Sequence, residues 1–138
     1  MKKLAKILKG HKYLCFMDFE GTQISHEMIA LGAVLCTLDK KGNIKKEKES
    51  FKIYVKPKNK VGNFVTKLTG ITDEQLAKEG VSFNKAMNDF KKYCGMAFKK
   101  TTFLTFGNHD ARSELSMDEL TSFLNQRSNS QNSYLKGW

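Results

Sequence analysis

The sequence predicts an α/β domain built on a mixed β-sheet, and three observations predict it. An apolar run near the N-terminus reads as a buried strand, two further β-rich runs flank a turn, and helical stretches then lead into a last β-branched run. A chain of 138 residues holds one core and is too short for two. With 40% apolar and 11% aromatic residues, it can bury enough surface to fold rather than stay disordered. The expected organisation is one domain over residues 1–126 and a polar tail over 127–138, with no internal repeat and no linker.

Tyr13 to Phe19 is apolar with one acid near its end, the pattern of a buried strand. Met28 to Leu38 is a second apolar run. Asp39-Lys-Lys-Gly-Asn43 is turn chemistry, and Phe51 to Val55 alternates, so the two runs should form an antiparallel hairpin that Pro57 stops. Val61, Phe64, Val65 and Leu68 follow helical spacing, and Gly70 ends that helix. Thr72-Asp-Glu-Gln75 is a capping box for a short helix that Gly80 ends. Ser82 caps a longer helix with Phe83, Ala86, Met87, Phe90 and Cys94 on its buried face. Thr101 to Phe106 reads as a strand. Leu115 to Leu120 carries a second capping box, Phe123 and Leu124 continue its apolar face, and the polar tail follows.

Twenty-four basic residues against 14 acidic ones leave a formal charge of +10, which attracts polyanions or simply solvates the surface. Cys15, Cys36 and Cys94 lie far apart in sequence within apolar runs, so buried free thiols are expected rather than a disulfide or a metal site. Met1 to Lys9 has charges but no continuous apolar stretch, so no secretion signal and no membrane partner are expected, and a cytoplasmic location follows.

Asp18 and Glu20 are two residues apart, so on a strand their side chains share a face. Acids at the end of an apolar strand are costly unless a cation neutralises them. Closely spaced carboxylate oxygens suit hard cations such as Mg²⁺ or Mn²⁺. Two such ions about 4 Å apart stabilise both the attacking water and the leaving oxygen in phosphodiester cleavage. Taken alone, Asp-x-Glu more often marks an acid pair facing water.

The context is more specific. Asp18-Phe-Glu-Gly-Thr22 followed by Glu27-Met-Ile-Ala-Leu-Gly-Ala-Val34 resembles the first motif and second strand of the DEDD 3′–5′ exonuclease superfamily, the group of RNase T and the proofreading subunits. Leu68-Thr-Gly-Ile-Thr72 resembles the loop between hairpin and helix in those enzymes, and Thr105-Phe-Gly-Asn-His-Asp110 resembles their second motif. The resemblance covers residues 12 to about 115, with the motifs in order. It implies a ribonuclease-H-like mixed sheet with flanking helices and a 3′ end of single-stranded RNA or DNA as substrate. It further implies Asp18, Glu20 and Asp110 as catalytic metal ligands, Gly21 and Thr22 meeting the terminal nucleotide, and Leu68 or Ile71 wedging against its base. Glu27 would structure the sheet rather than bind metal.

That superfamily completes its site with a final motif, His-x4-Asp or Tyr-x3-Asp, and this sequence has no histidine after His109. Tyr134 is followed at the fourth position by Trp138, where an acid is required. His26 and His109 are poor substitutes for the base, and surface histidine is their ordinary role. The expectations are a weak second metal site, reduced activity, and a sheet that is C-terminally truncated. Three explanations compete for the apolar face left uncovered: a truncated or frameshifted product, a homodimer that covers it, or a tail that repacks on the core. A catalytically inactive nucleic-acid-binding or regulatory module on the same fold is the alternative.

Overall fold

In a computed structural model, the described residues are 10–106, 112–115 and 117–128. Asp110, His109 and most of the expected tail lie outside them. Strand β1 (Tyr13–Gly21) runs two residues past the expected end, carrying Glu20 within the strand. Strand β2 (Met28–Leu38) pairs with it antiparallel, and β3 (Ile44–Glu47) and β4 (Phe51–Tyr54) both pair with β2. Three helices follow, α1 (Asn63–Thr69), α2 (Asp73–Glu79) and α3 (Phe83–Cys94), then a 3₁₀ turn over Gly95–Lys100. Strand β5 (Thr101–Phe106) lies parallel to β1, β6 (Arg112–Leu115) is antiparallel to β5, and α4 spans Met117–Gln126. The sheet order is β3-β2-β1-β5-β6, with β4 also on β2. This is the expected α/β fold with a mixed sheet.

Alternation along β1 divides the sheet into two chemically different faces. Cys15 and Met17 point to one side, where Phe103 of β5, Phe90 of α3 and Leu120 and Leu124 of α4 complete the main core. Phe90, Phe98 and Phe103 meet there with ring centroids 5.6 to 6.4 Å apart, a spacing favourable for offset or edge contacts. Leu14 and Phe16 point to the other side, beside Cys36, Leu38 and Leu104. Asp18 and Glu20 continue that second face, so it changes from apolar to acidic along one strand.

The helix ends follow the expected chemistry. Thr72 Oγ1 accepts from Gln75 N–H at 3.0 Å, and Ser82 Oγ accepts from Lys85 N–H at 3.1 Å. Gly70 closes α1 at φ 80° in the left-handed region. The expected apolar face of α1 is a correction. Val61 is buried ahead of the helix, whereas Phe64 and Leu68 are 65% and 73% exposed. A seven-residue helix at the sheet edge packs only Val65 against the Ile29, Val61, Ile71 and Leu76 cluster, so helical spacing overstated its burial.

Strands β3 and β6 had no counterpart in the sequence reading. β3 is four exposed residues, Ile-Lys-Lys-Glu, with no alternation to reveal it, and it is ordered only by pairing with β2. All three cysteines are buried and free. The thiols of Cys15 and Cys94 are nevertheless neighbours, and that contact together with burial pushes Cys15 far up, keeping it a thiol. Arg127, where the tail was expected to start, accepts from Met28 N–H through its carbonyl at 2.8 Å. Its guanidinium lies 3.7 Å from the Phe123 ring centroid. Among the described residues, no helix is long and apolar enough to cross a membrane.

Candidate active site

The site is laid out by strand register. Asp18 of β1 pairs with Gly32 of β2, and Gly32 pairs with Lys52 of β4. One step along, Glu20 pairs with Ala30 and Ala30 with Tyr54. Each row thus runs from an acid, across a small residue, to a residue of β4 on the same face. Gly32 and Ala30 form a low floor between taller walls. The result is a cleft of about 350 Å³ with Asp18 and Glu20 on one side, Lys52 and Tyr54 on the other, and Leu68, Thr69 and Ile71 closing its end.

Within the cleft, desolvation raises the Glu20 carboxyl above its ordinary value, and the neighbouring charge of Asp18 raises it further. A carboxyl group whose ionisation is disfavoured by burial and a neighbouring acid gains from a nearby cation. Oxygen donors of this kind fit a hard divalent metal ion. Among the described residues, no group of three or more acids, histidines or cysteines gathers to hold one. Asp18 and Glu20 are the two acids that the described residues bring to this cleft.

The wall containing Leu68 is positioned by the residues that follow β1. Gln23 N–H donates to Val61 O at 2.9 Å, and Gln23 Oε1 accepts from Phe64 N–H at 3.1 Å. The side chain of Gln23 thus satisfies a free donor in the first turn of α1, which Gly62 as N-cap cannot do. Gly62 itself sits at φ 98°, and a Cβ there would lie 2.6 Å from Gln23. Only glycine admits this close approach. Asp73 Oδ1 accepts from Val61 N–H at 2.9 Å and ties α2 to the same corner.

The sequence-predicted residues divide into groups. Asp18, Glu20, Leu68 and Ile71 are brought to one cleft. Leu68 and Ile71 both line its end, Leu68 at 73% exposure and Ile71 at only 7%. Gly21 lies where the β1–β2 register shifts. Thr22 is buried, with its N–H donated to Glu27 O and its hydroxyl accepting from Glu27 N–H, both at 2.9 Å. Those groups are committed to the loop, so any approach of Thr22 to a nucleotide would need other atoms. Glu27 is structural, as expected: its carboxylate accepts from Lys58 N–H, Asn59 N–H and Ser25 Oγ at 2.9 to 3.1 Å. His26 is exposed, at φ 54° in this loop. Asp110 lies outside the described residues. Lys52 and Tyr54 were missed, although their alternate spacing on a strand was the signal that they share a face.

A family model described as RNase T exonuclease matches residues 15–137. The chain therefore belongs to this exonuclease family, within the DEDD-type 3′–5′ exonuclease superfamily, and its sheet is of the ribonuclease-H-like kind. No curated protein matches it. Among solved structures, the nuclease domain of 3′hExo, a DEDDh family member bound to rAMP, is 27% identical with a TM-score of 0.58; the match covers 86% of this chain and 58% of that one. A 3′-exonuclease described for 3′-end-specific recognition of a histone mRNA stem-loop is 25% identical, TM-score 0.60, over 85% of this chain and 52% of that one. Exonuclease I of E. coli in complex with a dT13 oligonucleotide is 20% identical, TM-score 0.53, over 70% and 21%, a likeness of fold. The chain spans 52% to 58% of the length of the first two structures.

Proposed function

We propose that this chain is a metal-dependent exonuclease that removes nucleotides from the 3′ end of single-stranded RNA or DNA. The observation that carries the reading is the cleft in which Asp18 and Glu20 share a face with Leu68 at its end. Asp18 and Glu20 would hold Mg²⁺ or Mn²⁺ together with Asp110. The metal supplies charge neutralisation at the phosphate and lowers the pKa of bound water. The chain's own residues orient the strand: Leu68 packs against the terminal base, and the low floor of Ala30 and Gly32 admits the backbone. The relatives that recognise an RNA stem-loop or bind a DNA oligonucleotide support a nucleic-acid substrate. The charge of +10 agrees with such a partner.

The second reading is a catalytically inactive nucleic-acid-binding module on the same fold. The described residues bring two acids, Asp18 and Glu20, to its cleft. One experiment separates the two: Mn²⁺-dependent degradation of a 3′-extended, 5′-labelled oligonucleotide, with Asp18→Ala as control. The enzyme reading expects laddering from the 3′ end that Asp18→Ala reduces by about 100-fold or more. Equal, intact oligonucleotide with both proteins, still bound, would establish the binding module instead. A homodimer belongs to the same proposal, and sedimentation at several concentrations tests it.

A further inference from the structure

Resting on the nuclease reading above, we propose that Lys52 is a phosphate-positioning residue, gripping the nucleic-acid strand across the open floor at Gly32. Asp18, Gly32 and Lys52 form one cross-strand row on one face of the sheet. Two antiparallel steps separate the α-carbons of Asp18 and Lys52 by about 10 Å. Between them stands no side chain, because the middle position is glycine. A phosphate and a lysine side chain together fill such a span.

Neither backbone nor packing explains that glycine. Gly32 does not have a positive φ, and a Cβ built on it would meet only Phe51 O, at 4.0 Å, an ordinary contact. What the missing side chain does is leave the trough clear between an acid and a cation. Lys52 also borders two adjoining hollows, of about 350 and 320 Å³, both of which contain Asp18 and Gly32. A strand lying in either passes its ammonium group.

The lysine is held but not neutralised. Its Nζ lies 5.2 Å from the centroid of the Tyr54 ring, a cation–π contact that limits where the ammonium can go without cancelling its charge. Among the described residues, no ion pair joins Lys52 to Asp18 or Glu20. Its charge is therefore available to an anion, and a lysine ammonium is a compact point charge suited to phosphate oxygens. Lys52 acts on the strand's position while the acids stand at the opposite wall, so it is a positioning residue and not one of the reacting groups.

The test uses the full chain and a fluorescein-labelled octathymidylate or octauridylate. Binding is measured by anisotropy in EDTA across a salt series, and turnover is measured in Mn²⁺. Lys52→Gln should weaken binding about 3- to 10-fold and flatten the slope of log K against log salt by about 0.7, one single-strand phosphate contact. In turnover it should raise KM with little change in kcat. Lys52→Arg should restore both affinity and slope. Gly32→Val, which fills the floor without changing charge, should lower affinity at an unchanged slope. Lys52→Gln binding with wild-type affinity and slope would overturn the proposal. An absence of turnover in wild type would overturn the nuclease reading alone, because the salt slope still decides whether Lys52 contacts phosphate.

Discussion

Glu20 shows how one carboxyl group links the fold to its chemistry. Desolvation, and then the charge of Asp18, holds its pKa above the ordinary 4.5. Well below that value, both folded and unfolded chains keep the proton and nothing is lost. As pH climbs from about 4.5 toward the raised folded value, the unfolded chain releases its proton first, so stability falls; above it the full penalty remains. Glu20→Gln should therefore be more stable than wild type at neutral pH without metal, and the difference should vanish in acid. Thermal unfolding in EDTA from pH 4 to 8 checks this. The same variant should lose the stabilisation that Mn²⁺ confers on wild type, because a cation relieves this strain only where the carboxylate remains. Glu27 is the opposite case. Its carboxylate accepts from three donors at 2.9 to 3.1 Å, so Glu27→Gln turns an amide NH₂ toward donors and should cost about 1–3 kcal/mol in urea unfolding.

At the scale of elements, α1 is a short helix whose value lies in where it is pinned. Gln23 and Asp73 bond its entry, and Gly62 permits the approach at φ 98°. Gly62→Ala adds a Cβ where Gln23 already stands and should cost about 1–3 kcal/mol. Because α1 carries the end wall of the cleft, its KM for oligonucleotide should rise as well, which steady-state kinetics would show. Leu68→Ala separates wall from fold. The side chain is 73% exposed, so stability should change by no more than about 0.5 kcal/mol. KM should nonetheless rise about 5-fold, the order of 1 kcal/mol of apolar contact with a base. Unchanged KM would remove Leu68 from the substrate's path.

For the whole molecule, the sheet separates stability from function by its two faces. The face bearing Cys15, Met17 and Phe103 is packed by α3 and α4, with Phe90 at the centre and fully buried. Phe90→Ala should cost about 3–5 kcal/mol by leaving a cavity that its rigid aromatic neighbours cannot fill. Chemical denaturation would measure it. The other face carries the acids and Lys52 beside the smaller cluster of Leu14, Cys36, Leu38 and Leu104, and substitution of the exposed Lys52 there should change binding and turnover with little effect on the unfolding midpoint. A strand with period-two alternation makes such a division possible, since neighbouring residues serve opposite faces.

Much of this was legible in the sequence because it depends on local rules. The capped starts at Thr72 and Ser82, the glycine end at Gly70 and the buried face of α3 follow from spacing and side-chain chemistry alone. The paired acids of β1 were legible too, once set beside the motifs around Gly21, Leu68 and Asp110. Tertiary structure decided the rest. β3 has no pattern of its own and exists by pairing with β2, while Phe64 and Leu68 keep helical spacing yet lie in solvent, because burial depends on what a helix faces. The row from Asp18 through Gly32 to Lys52 joins residues up to 34 positions apart, and only strand register brings them into line. Sequence determined which residues could do chemistry; the register of three strands determined which of them share a floor.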